Sequence, residues 1–203
     1  MQSLLLATKN RGKVIEMREC LADLPCEILT LEDLTESLIL PPEESDTFEG
    51  NARDKARFCF KRTGIPSLAD DSGILVEALK AELGIHTRRW GAGPDASDEE
   101  WITLFLERMR QEKNKRAEFV CVLALIDEEG KEHFFEGHCT GVITDALEAE
   151  YLPGLPISAC FQPEGYDRVF SVLTIEEKNR VSHRGRAMQE LRKFLQGMYP
   201  RVK

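Results

Sequence analysis

Ile65-Pro66-Ser67-Leu68-Ala69-Asp70-Asp71-Ser72-Gly73 joins an apolar stretch directly to two adjacent carboxylates. The apolar residues predict a short buried strand over 67–69, and the Ser-Gly pair predicts a turn that closes it. Adjacent aspartates repel each other and are unfavourable to bury, so a cation is expected beside them. Mg²⁺ prefers such oxygen ligands and is often shared between one or two carboxylates and the phosphates of a substrate. The alternative interpretation is a polar turn at a strand end that binds nothing.

A second polar turn follows the first apolar segment of the chain. Residues 2–7 predict a strand, Thr8-Lys9-Asn10-Arg11-Gly12-Lys13 a turn, and apolar residues at helical spacing a helix over 14–24. A helix N-terminus presents backbone N–H groups to an anion, and the side chains of Thr8, Asn10 and Lys13 can add hydrogen bonds and charge. The Walker A pattern is absent. An ordinary capped turn with a solvated lysine is the alternative, but the two turns together suggest nucleotide chemistry.

Apolar periodicity and turn residues predict the remaining elements. Helices are expected over 48–62, 98–112 and 183–197, and loops over 35–47 and 152–165. Strands are expected over 26–31, 116–126, 132–143 and 168–173, with a hairpin turn at 128–131 and a strand or short helix over 74–80. This alternation of strands and helices predicts an α/β protein.

Composition restricts the class of function. The 203 residues suit a single domain, and 42% of them are hydrophobic. A net charge of −9 argues against broad binding of nucleic acid, which requires a basic face, but it leaves room for a small anionic substrate. No apolar run is long enough to cross a bilayer, so no membrane association is expected. The six cysteines form no CxxC pair, which predicts a reducing, cytoplasmic environment.

Five motifs occur in an order that resembles the Ham1/RdgB family of inosine triphosphate pyrophosphatases. They are Thr8-x-Asn10-x-x-Lys13, Thr47-Phe48-x-x-Asn51-Ala52 with Lys55-Ala56, Ala69-Asp70-Asp71-Ser72-Gly73, Glu177-Lys178-Asn179 and Ser182-His183-Arg184. Two smaller matches are Gly84-Ile85-x-Thr87-x-Arg89 and Gly165-Tyr166-Asp167. Each motif is modest alone, whereas the ordered set is specific and spans nearly the whole chain.

The resemblance implies a fold and a reaction. The expected fold is a long, twisted mixed sheet flanked by helices, in two lobes with the active cleft between them. The expected reaction is Mg²⁺-dependent hydrolysis of inosine, deoxyinosine and xanthosine triphosphates between the α- and β-phosphates, which releases pyrophosphate. No organic cofactor is expected, and the resemblance also implies a homodimer. The alternatives are a Maf-like pyrophosphatase with a shifted base preference and a nucleotide-binding protein without turnover.

The resemblance also assigns roles to single residues. Asp71 would hold Mg²⁺ and orient or deprotonate the attacking water, with Asp70 beside it. Glu44 would be a second metal ligand, and Glu43 competes with it because the surrounding loop is shorter than in the family. The triphosphate would be bound by Thr8, Asn10, Lys13, Lys55 and Lys178, with Ser72 as a polar positioning group. His183 and Arg184 would contact the purine.

The base pocket is where the sequence departs from the family pattern. Before Gly165-Tyr166-Asp167, the usual aromatic residue is replaced by Glu164, and the proline that usually follows is Arg168. Tyr166 and Asp167 are nevertheless predicted to bind substrate. Phe161 is predicted to supply the ring that stacks on the base, and the alternative is that Phe161 belongs to the core. The machinery for phosphate and metal is therefore predicted to be intact, while base selectivity stays open.

Overall fold

The centre of the fold is a six-stranded sheet. In the computed structural model, which describes residues 2–93 and 95–198, the strands are β1 (Ser3–Leu6), β2 (Glu27–Thr30), β3 (Ser67–Val76), β4 (Arg116–Ile126), β5 (Glu132–Ile143) and β6 (Phe161–Pro163). Their order across the sheet is β2-β1-β3-β4-β5-β6. The pairs β1–β2 and β1–β3 are parallel and the others antiparallel, so the prediction of a long mixed sheet is confirmed.

Local signals account for where the helices begin and end. The helices are α1 (Arg11–Leu21), α2 (Phe48–Thr63), α3 (Asp98–Arg110), α4 (Ile175–Val181) and α5 (His183–Met198). The side chain of Thr47 caps the start of α2 by accepting a hydrogen bond from the Gly50 N–H, and α2 ends at Gly64, whose φ of 69° suits glycine. A capping box between Ser97 and Glu100 starts α3.

The helices cover both faces of the sheet. On one face, α1 and α5 bury Met17 and Leu191 against Leu68 of β3. On the other face, α2 packs Ala52 and Ala56 against Ala69. Because consecutive residues of a strand point to opposite faces, the neighbours Leu68 and Ala69 fix which face every later residue of β3 will meet. A third apolar cluster joins α3 to the far ends of β3, β4 and β5.

The predicted turn at Ser72 and Gly73 is wrong, and so is the alternative of a polar turn over 70–73. β3 continues through this segment, and its residues pair with β4 in unbroken register, with Asp70 opposite Leu123, Asp71 opposite Val122 and Gly73 opposite Val120. Repulsion between the two carboxylates does not interrupt the strand because their side chains leave it on opposite faces and each meets a cation.

Three other predictions are corrected in the same way. The predicted strand over 168–173 is a 3-10 turn at Phe170–Val172, and the helix α4 that follows was not predicted. The segment 74–80 completes β3 at Val76 and then forms a 3-10 turn at Glu77–Glu82. The predicted loop 152–165 contains the short strand β6, which pairs with the end of β5.

The structure also bears on the expectations about membrane spans and cysteines. In the described part of the chain, no helix has both the length and the apolar character needed to span a membrane. All six cysteines are free, Cys20 and Cys26 included.

Candidate active site

A cleft of about 460 Å³ lies where the N-terminal ends of α1 and α5 approach β3. Its walls also include parts of α2, α3 and α4 and the segment 154–158. The cleft brings together nine of the residues predicted to form a site: Thr8, Asn10, Lys13, Lys55, Asp71, Ser72, Lys178, His183 and Arg184. These residues come from distant parts of the chain, so their convergence is a property of the fold.

The N-terminus of α1 is held by a network that limits its role in binding an anion. Asn10 caps the helix, since its Oδ1 accepts a hydrogen bond from the Lys13 N–H at 3.1 Å, and its Nδ2 donates to the Gly154 carbonyl at 3.0 Å. The Gly12 N–H donates to the Pro153 carbonyl at 3.1 Å. Two of the backbone N–H groups predicted to face a phosphate therefore have partners within the protein, and side-chain cations must carry most of the anion binding.

Asp70 lies beneath the cleft, on the face of the sheet covered by α1 and α5. Its carboxylate is 0% exposed and contacts Lys13 Nζ at 2.9 Å and Arg184 Nη2 at 3.2 Å. Burial alone would raise the pKa of Asp70, but the charges of Lys13, Arg184 and Lys55 outweigh burial and hold the pKa well below its ordinary value. Asp70 does not line the cleft, and it contacts the lining residues Lys13 and Arg184 from beneath.

Asp71 lies on the opposite face and forms part of the cleft wall. It is 5% exposed, its Oδ2 accepts a hydrogen bond from Asn51 Nδ2 at 3.0 Å, and its Oδ1 lies 3.6 Å from Lys55 Nζ. Burial raises the pKa of Asp71 above its ordinary value, and the opposing charges of Lys55 and Lys13 do not fully offset this. A carboxylate with a raised pKa beside a cleft is suited to accepting a proton from water.

Glu43, and not Glu44, is the carboxylate that reaches the cleft. Lys55 Nζ donates a hydrogen bond to Glu43 Oε1 at 2.6 Å, whereas Glu44 is exposed and contributes nothing to the cleft wall. The backbone carbonyl of Glu43 accepts a hydrogen bond from Arg89 Nη1 at 2.7 Å, which ties this loop across to the 3-10 turn at Gly84–Arg89. Lys55 thus lies between Glu43 and Asp71.

Glu16 forms a second cluster of charged side chains at the cleft, together with Lys178 and Arg184. It forms an ion pair with Lys178 Nζ at 3.0 Å and another with Arg184, whose Nη2 also donates to Ser72 Oγ at 3.1 Å. Burial would raise the pKa of Glu16, but the charges of Arg184 and Lys178 lower it overall. Arg184 is thereby fixed by two acidic partners, Glu16 and Asp70.

The charge balance around the cleft tests whether a divalent cation fits. The acidic side chains Glu16, Glu43, Asp70 and Asp71 form ion pairs with the basic side chains Lys13, Lys55, Lys178 and Arg184. Lys9, Arg88 and Asp98 also line the cleft. No group of three or more acidic, His or Cys side chains poised to hold a metal occurs within residues 2–93 and 95–198. A cation that needs only one or two carboxylates and takes its other ligands from phosphates and water still fits Asp71 and Glu43.

The remaining wall of the cleft is aromatic. The His183 ring stacks on Phe119 with centroids 4.6 Å apart, and Phe170 lies parallel to His183 at 6.2 Å. Burial, with the nearby charge of Arg184, holds the pKa of His183 well below its ordinary value, so the ring is neutral near pH 7. Trp101 of α3 also lines the cleft. A flat, aromatic surface next to a charged pocket suits a nucleobase joined to phosphates.

Three predicted substrate-binding residues lie outside the cleft. Phe161 is 0% exposed, packs against Phe119 and Phe170, and belongs to the core, so the prediction that its ring stacks on a base is wrong. Tyr166 lines a separate cavity of about 660 Å³, and its hydroxyl accepts a hydrogen bond from Arg180. Asp167 is exposed and pairs only with Arg168 among its described contacts. The cleft wall therefore includes the segment 154–158, and not the segment 161–168 in which the sequence predicted the base pocket.

Several cleft residues were not predicted. Glu16 follows Lys13 by three positions, a spacing that puts both on one face of a helix and was available from the sequence. Phe119 and Phe170 are apolar residues in apolar surroundings, and no sequence signal separates them from core. Asp98 accepts a hydrogen bond from the Gly154 N–H at 2.6 Å and fixes the 154–158 segment, a contact between residues far apart in the chain.

Comparison with known proteins identifies relatives that match nearly the whole chain. A model described as the Ham1 family matches residues 4–194. A dITP/XTP pyrophosphatase of Leptospira interrogans is 41% identical over 194 residues, which cover 96% of this chain and 97% of that protein. One from Thermus thermophilus is 42% identical over 189 residues, covering 92% and 88%. A HAM1 protein from Coxiella burnetii superimposes with a TM-score of 0.81 at 33% identity, covering 97% of this chain and 100% of that one.

Proposed function

Because the chain belongs to the Ham1 family, we propose that it is a pyrophosphatase that hydrolyses inosine, deoxyinosine and xanthosine triphosphates. In this reaction a water oxygen bonds to the α-phosphorus, the bond from that phosphorus to the α–β bridging oxygen breaks, and pyrophosphate leaves. The products are a nucleoside monophosphate and pyrophosphate. The observation that carries the proposal is the shared cleft, which joins a carboxylate of raised pKa to several lysines and to an aromatic wall.

Asp71 is the proposed general base. It orients the attacking water and accepts its proton, a role that its position in the cleft wall supports. The Asn51 amide donates to Oδ2, which fixes the rotation of the carboxylate and leaves Oδ1 toward Lys55. Asp70 does not exchange protons in this scheme, since its lowered pKa keeps it ionised.

Lys13, Lys55 and Lys178 are the proposed triphosphate ligands. In the ligand-free cleft each is paired with an acidic side chain, so a bound triphosphate adds negative charge to a set that is already paired. A divalent ion answers that need, and we propose Mg²⁺ held by Asp71 and Glu43, where it would neutralise charge on the phosphates. Lys13 and Lys178 then stabilise the charge that develops on the leaving pyrophosphate.

The aromatic wall is the proposed site of the base. Phe119 and Phe170 offer flat surfaces, and neutral His183 offers a ring nitrogen toward a purine substituent. A neutral imidazole with its N–H toward position 6 accepts the keto oxygen of hypoxanthine or xanthine and disfavours the amino group of adenine.

The test measures pyrophosphate release with ITP, dITP, XTP and the four ordinary NTPs in the presence of Mg²⁺. We expect ITP and XTP to be preferred, and Asp71→Asn to lower kcat by at least about 100-fold while nucleotide binding persists, in line with loss of a general base. Asp127→Asn is the control, because Asp127 is a buried, hydrogen-bonded aspartate in the β4–β5 hairpin, outside the cleft.

Two results would count against this proposal. Asp71→Asn activity within tenfold of the wild type would remove Asp71 from the mechanism. Preference for an ordinary NTP would instead favour a pyrophosphatase of shifted base preference.

Assembly is proposed on the resemblance, location on the cysteine pattern, and the exclusion of nucleic acid on the net charge. We propose a homodimer in a reducing cytoplasm, with purine nucleoside triphosphates as ligands and no nucleic acid. Sedimentation velocity would test the dimer directly, and a monomer at micromolar concentration would refute it.

A further inference from the structure

Unsatisfied polar atoms are concentrated around the cleft. Buried side-chain atoms without a hydrogen-bond partner, within the described residues, are Asp70 Oδ1, Trp101 Nε1, Ser171 Oγ, His183 Nδ1 and Arg184 Nε. Three of these residues, Trp101, His183 and Arg184, line the cleft itself. A buried donor without a partner is unfavourable in a folded protein, and its retention calls for an explanation such as an absent ligand.

Trp101 lines the cleft, its side chain has no ion pair or hydrogen bond among the described residues, and it has no role in the proposed mechanism. It is 3% exposed and its ring is held rigidly, stacked on Phe105 with centroids 5.1 Å apart and in edge contact with Trp90 at 6.1 Å. Its indole N–H is buried and has no acceptor among the described residues, so a ligand in the cleft could supply one. The cleft is the route to this ring, because Trp101 forms part of its wall.

Base selection creates a need for such a donor. Hypoxanthine, xanthine and guanine all carry a keto oxygen at position 6, so a group that reads position 6 cannot separate them. They differ at position 2, where xanthine has a keto oxygen, hypoxanthine a hydrogen and guanine an amino group. An indole N–H only donates, so it pairs with the xanthine oxygen, tolerates the hydrogen and opposes the guanine amino group, which would leave two donors facing each other.

We propose that Trp101 is the specificity-determining residue at position 2 of the base, donating its indole hydrogen bond to xanthine and excluding guanine. Trp101 and His183 belong to different helices, α3 and α5, so the two unsatisfied nitrogens are carried by separate elements of one cleft. The inference rests on the proposed function and deepens it.

The test is Trp101→Phe, which keeps an aromatic ring against Phe105 and removes only the indole N–H donor and part of the ring. We expect kcat/KM for XTP to fall at least tenfold relative to GTP, and kcat/KM for ITP to change less than threefold. Calorimetry, which needs no turnover, should show the same pattern. Trp101→Phe should weaken the binding of XMP relative to GMP and change the binding of IMP little. An unchanged ratio of XTP to GTP would overturn the proposal.

Trp90→Phe is the matched control. Its indole N–H already donates to Glu82 Oε2 at 3.2 Å, and the residue does not line the cleft, so the same substitution should leave selectivity unchanged. A ligand-free melting temperature for Trp101→Phe close to that of the wild type would show that the fold survives.

A measurement on the unmodified protein keeps the test independent of folding. The chain has two tryptophans, so ¹⁵N-labelled protein gives two indole N–H signals, which Trp90→Phe assigns. XMP should shift the Trp101 signal downfield much more than IMP or GMP does. An identical response to all three would overturn the proposal, whereas absence of pyrophosphate release from any NTP would refute the proposed function and leave this binding test standing.

Discussion

Adjacent residues of a strand meet different surroundings, and this decides the chemistry of Asp70 and Asp71. Asp70 faces Lys13 and Arg184 and stays ionised, whereas Asp71 faces Asn51 and Lys55 and has a raised pKa. The geometry therefore separates a residue that orders cations from one that can take up a proton. The same alternation explains why both carboxylates are tolerated inside one uninterrupted strand.

Phe161 provides a prediction at the scale of one side chain. Because its ring is fully buried among Phe119, Phe170 and the backbone of Gly141, Phe161→Ala should leave a cavity and lower the free energy of unfolding by about 3–5 kcal/mol. Urea denaturation without ligand measures this loss. In the fraction that stays folded, kcat/KM for ITP and XTP should fall by similar and modest factors.

The control for this prediction is Phe119→Leu, since Phe119 is half-buried and lines the cleft. It should reduce kcat/KM more, and stability less, than Phe161→Ala does. The reverse ranking, with a stable Phe161→Ala protein that binds nucleotide poorly, would restore the stacking role that the sequence suggested for Phe161.

The sequence predicted the charged residues of the cleft more successfully than its aromatic residues. Lys13, Lys55, Asp71 and Lys178 occur in recognisable spacings, and all of them reach the cleft. The aromatic surface was misassigned because an apolar side chain carries no mark of whether it faces a cleft or the core. That distinction depends on a handful of contacts that only the folded chain defines.

At the scale of elements, the start of α1 and the segment 153–155 act as one unit. Pro153 accepts a hydrogen bond from the Gly12 N–H, and Asn10 donates to Gly154. Leu155 lies so close to α1 that a Cβ on Gly12 would be 2.8 Å from its Cδ1. Glycine at position 12 is therefore required by close packing against a neighbouring segment that itself lines the cleft.

Gly12→Ala should accordingly displace 153–155 from the cleft wall. Displacing a segment that positions the substrate is expected to lower kcat/KM for ITP by about tenfold to 100-fold. Gly197→Ala is the control, because no atom lies within 4 Å of its added Cβ and the change should stabilise α5 by up to about 1 kcal/mol. Kinetics of Gly12→Ala indistinguishable from those of Gly197→Ala would show that the docking is dispensable.

Elements with strong periodicity were predicted well, and those defined by tertiary contacts were not. The strand 116–126 and its partner 132–143 have the predicted bounds, since a hairpin turn fixes their register. β6 has only three residues, one of which is a proline, so its sequence does not predict a strand. It forms because the edge of β5 is available to pair with it. The apolar run before α4 reads as a strand but packs as a turn into the third apolar cluster.

For the whole molecule, the net charge of −9 opposes a polyanionic ligand at long range. The cleft overcomes this locally by gathering six cations, of which Lys13, Lys55, Lys178 and Arg184 each pair with a carboxylate. Such an arrangement is stable only while these carboxylates are ionised and His183 is neutral. The pH dependence of unfolding should therefore report on the cleft.

The last prediction concerns stability between pH 7.5 and 5.5. The pKa of His183 is well below its ordinary value in the folded protein, whereas the unfolded chain takes up a proton near pH 6.5. The unfolded state then binds more protons at this site as the pH falls, so the contribution of His183 to the free energy of unfolding should drop by about 1.4 kcal/mol across this interval. The raised pKa of Asp71 acts in the opposite direction. The lowered pKa values of Asp70, Glu16 and Glu43 act in the same direction as that of His183 only at lower pH, around and below the ordinary carboxyl range. Urea unfolding at several pH values measures the slope, and His183→Asn should flatten it while His86→Asn, an exposed histidine outside the cleft, should not. A His183→Asn protein that keeps the full slope would mean that His183 takes up a proton in the folded state, which would contradict a neutral ring in the base pocket.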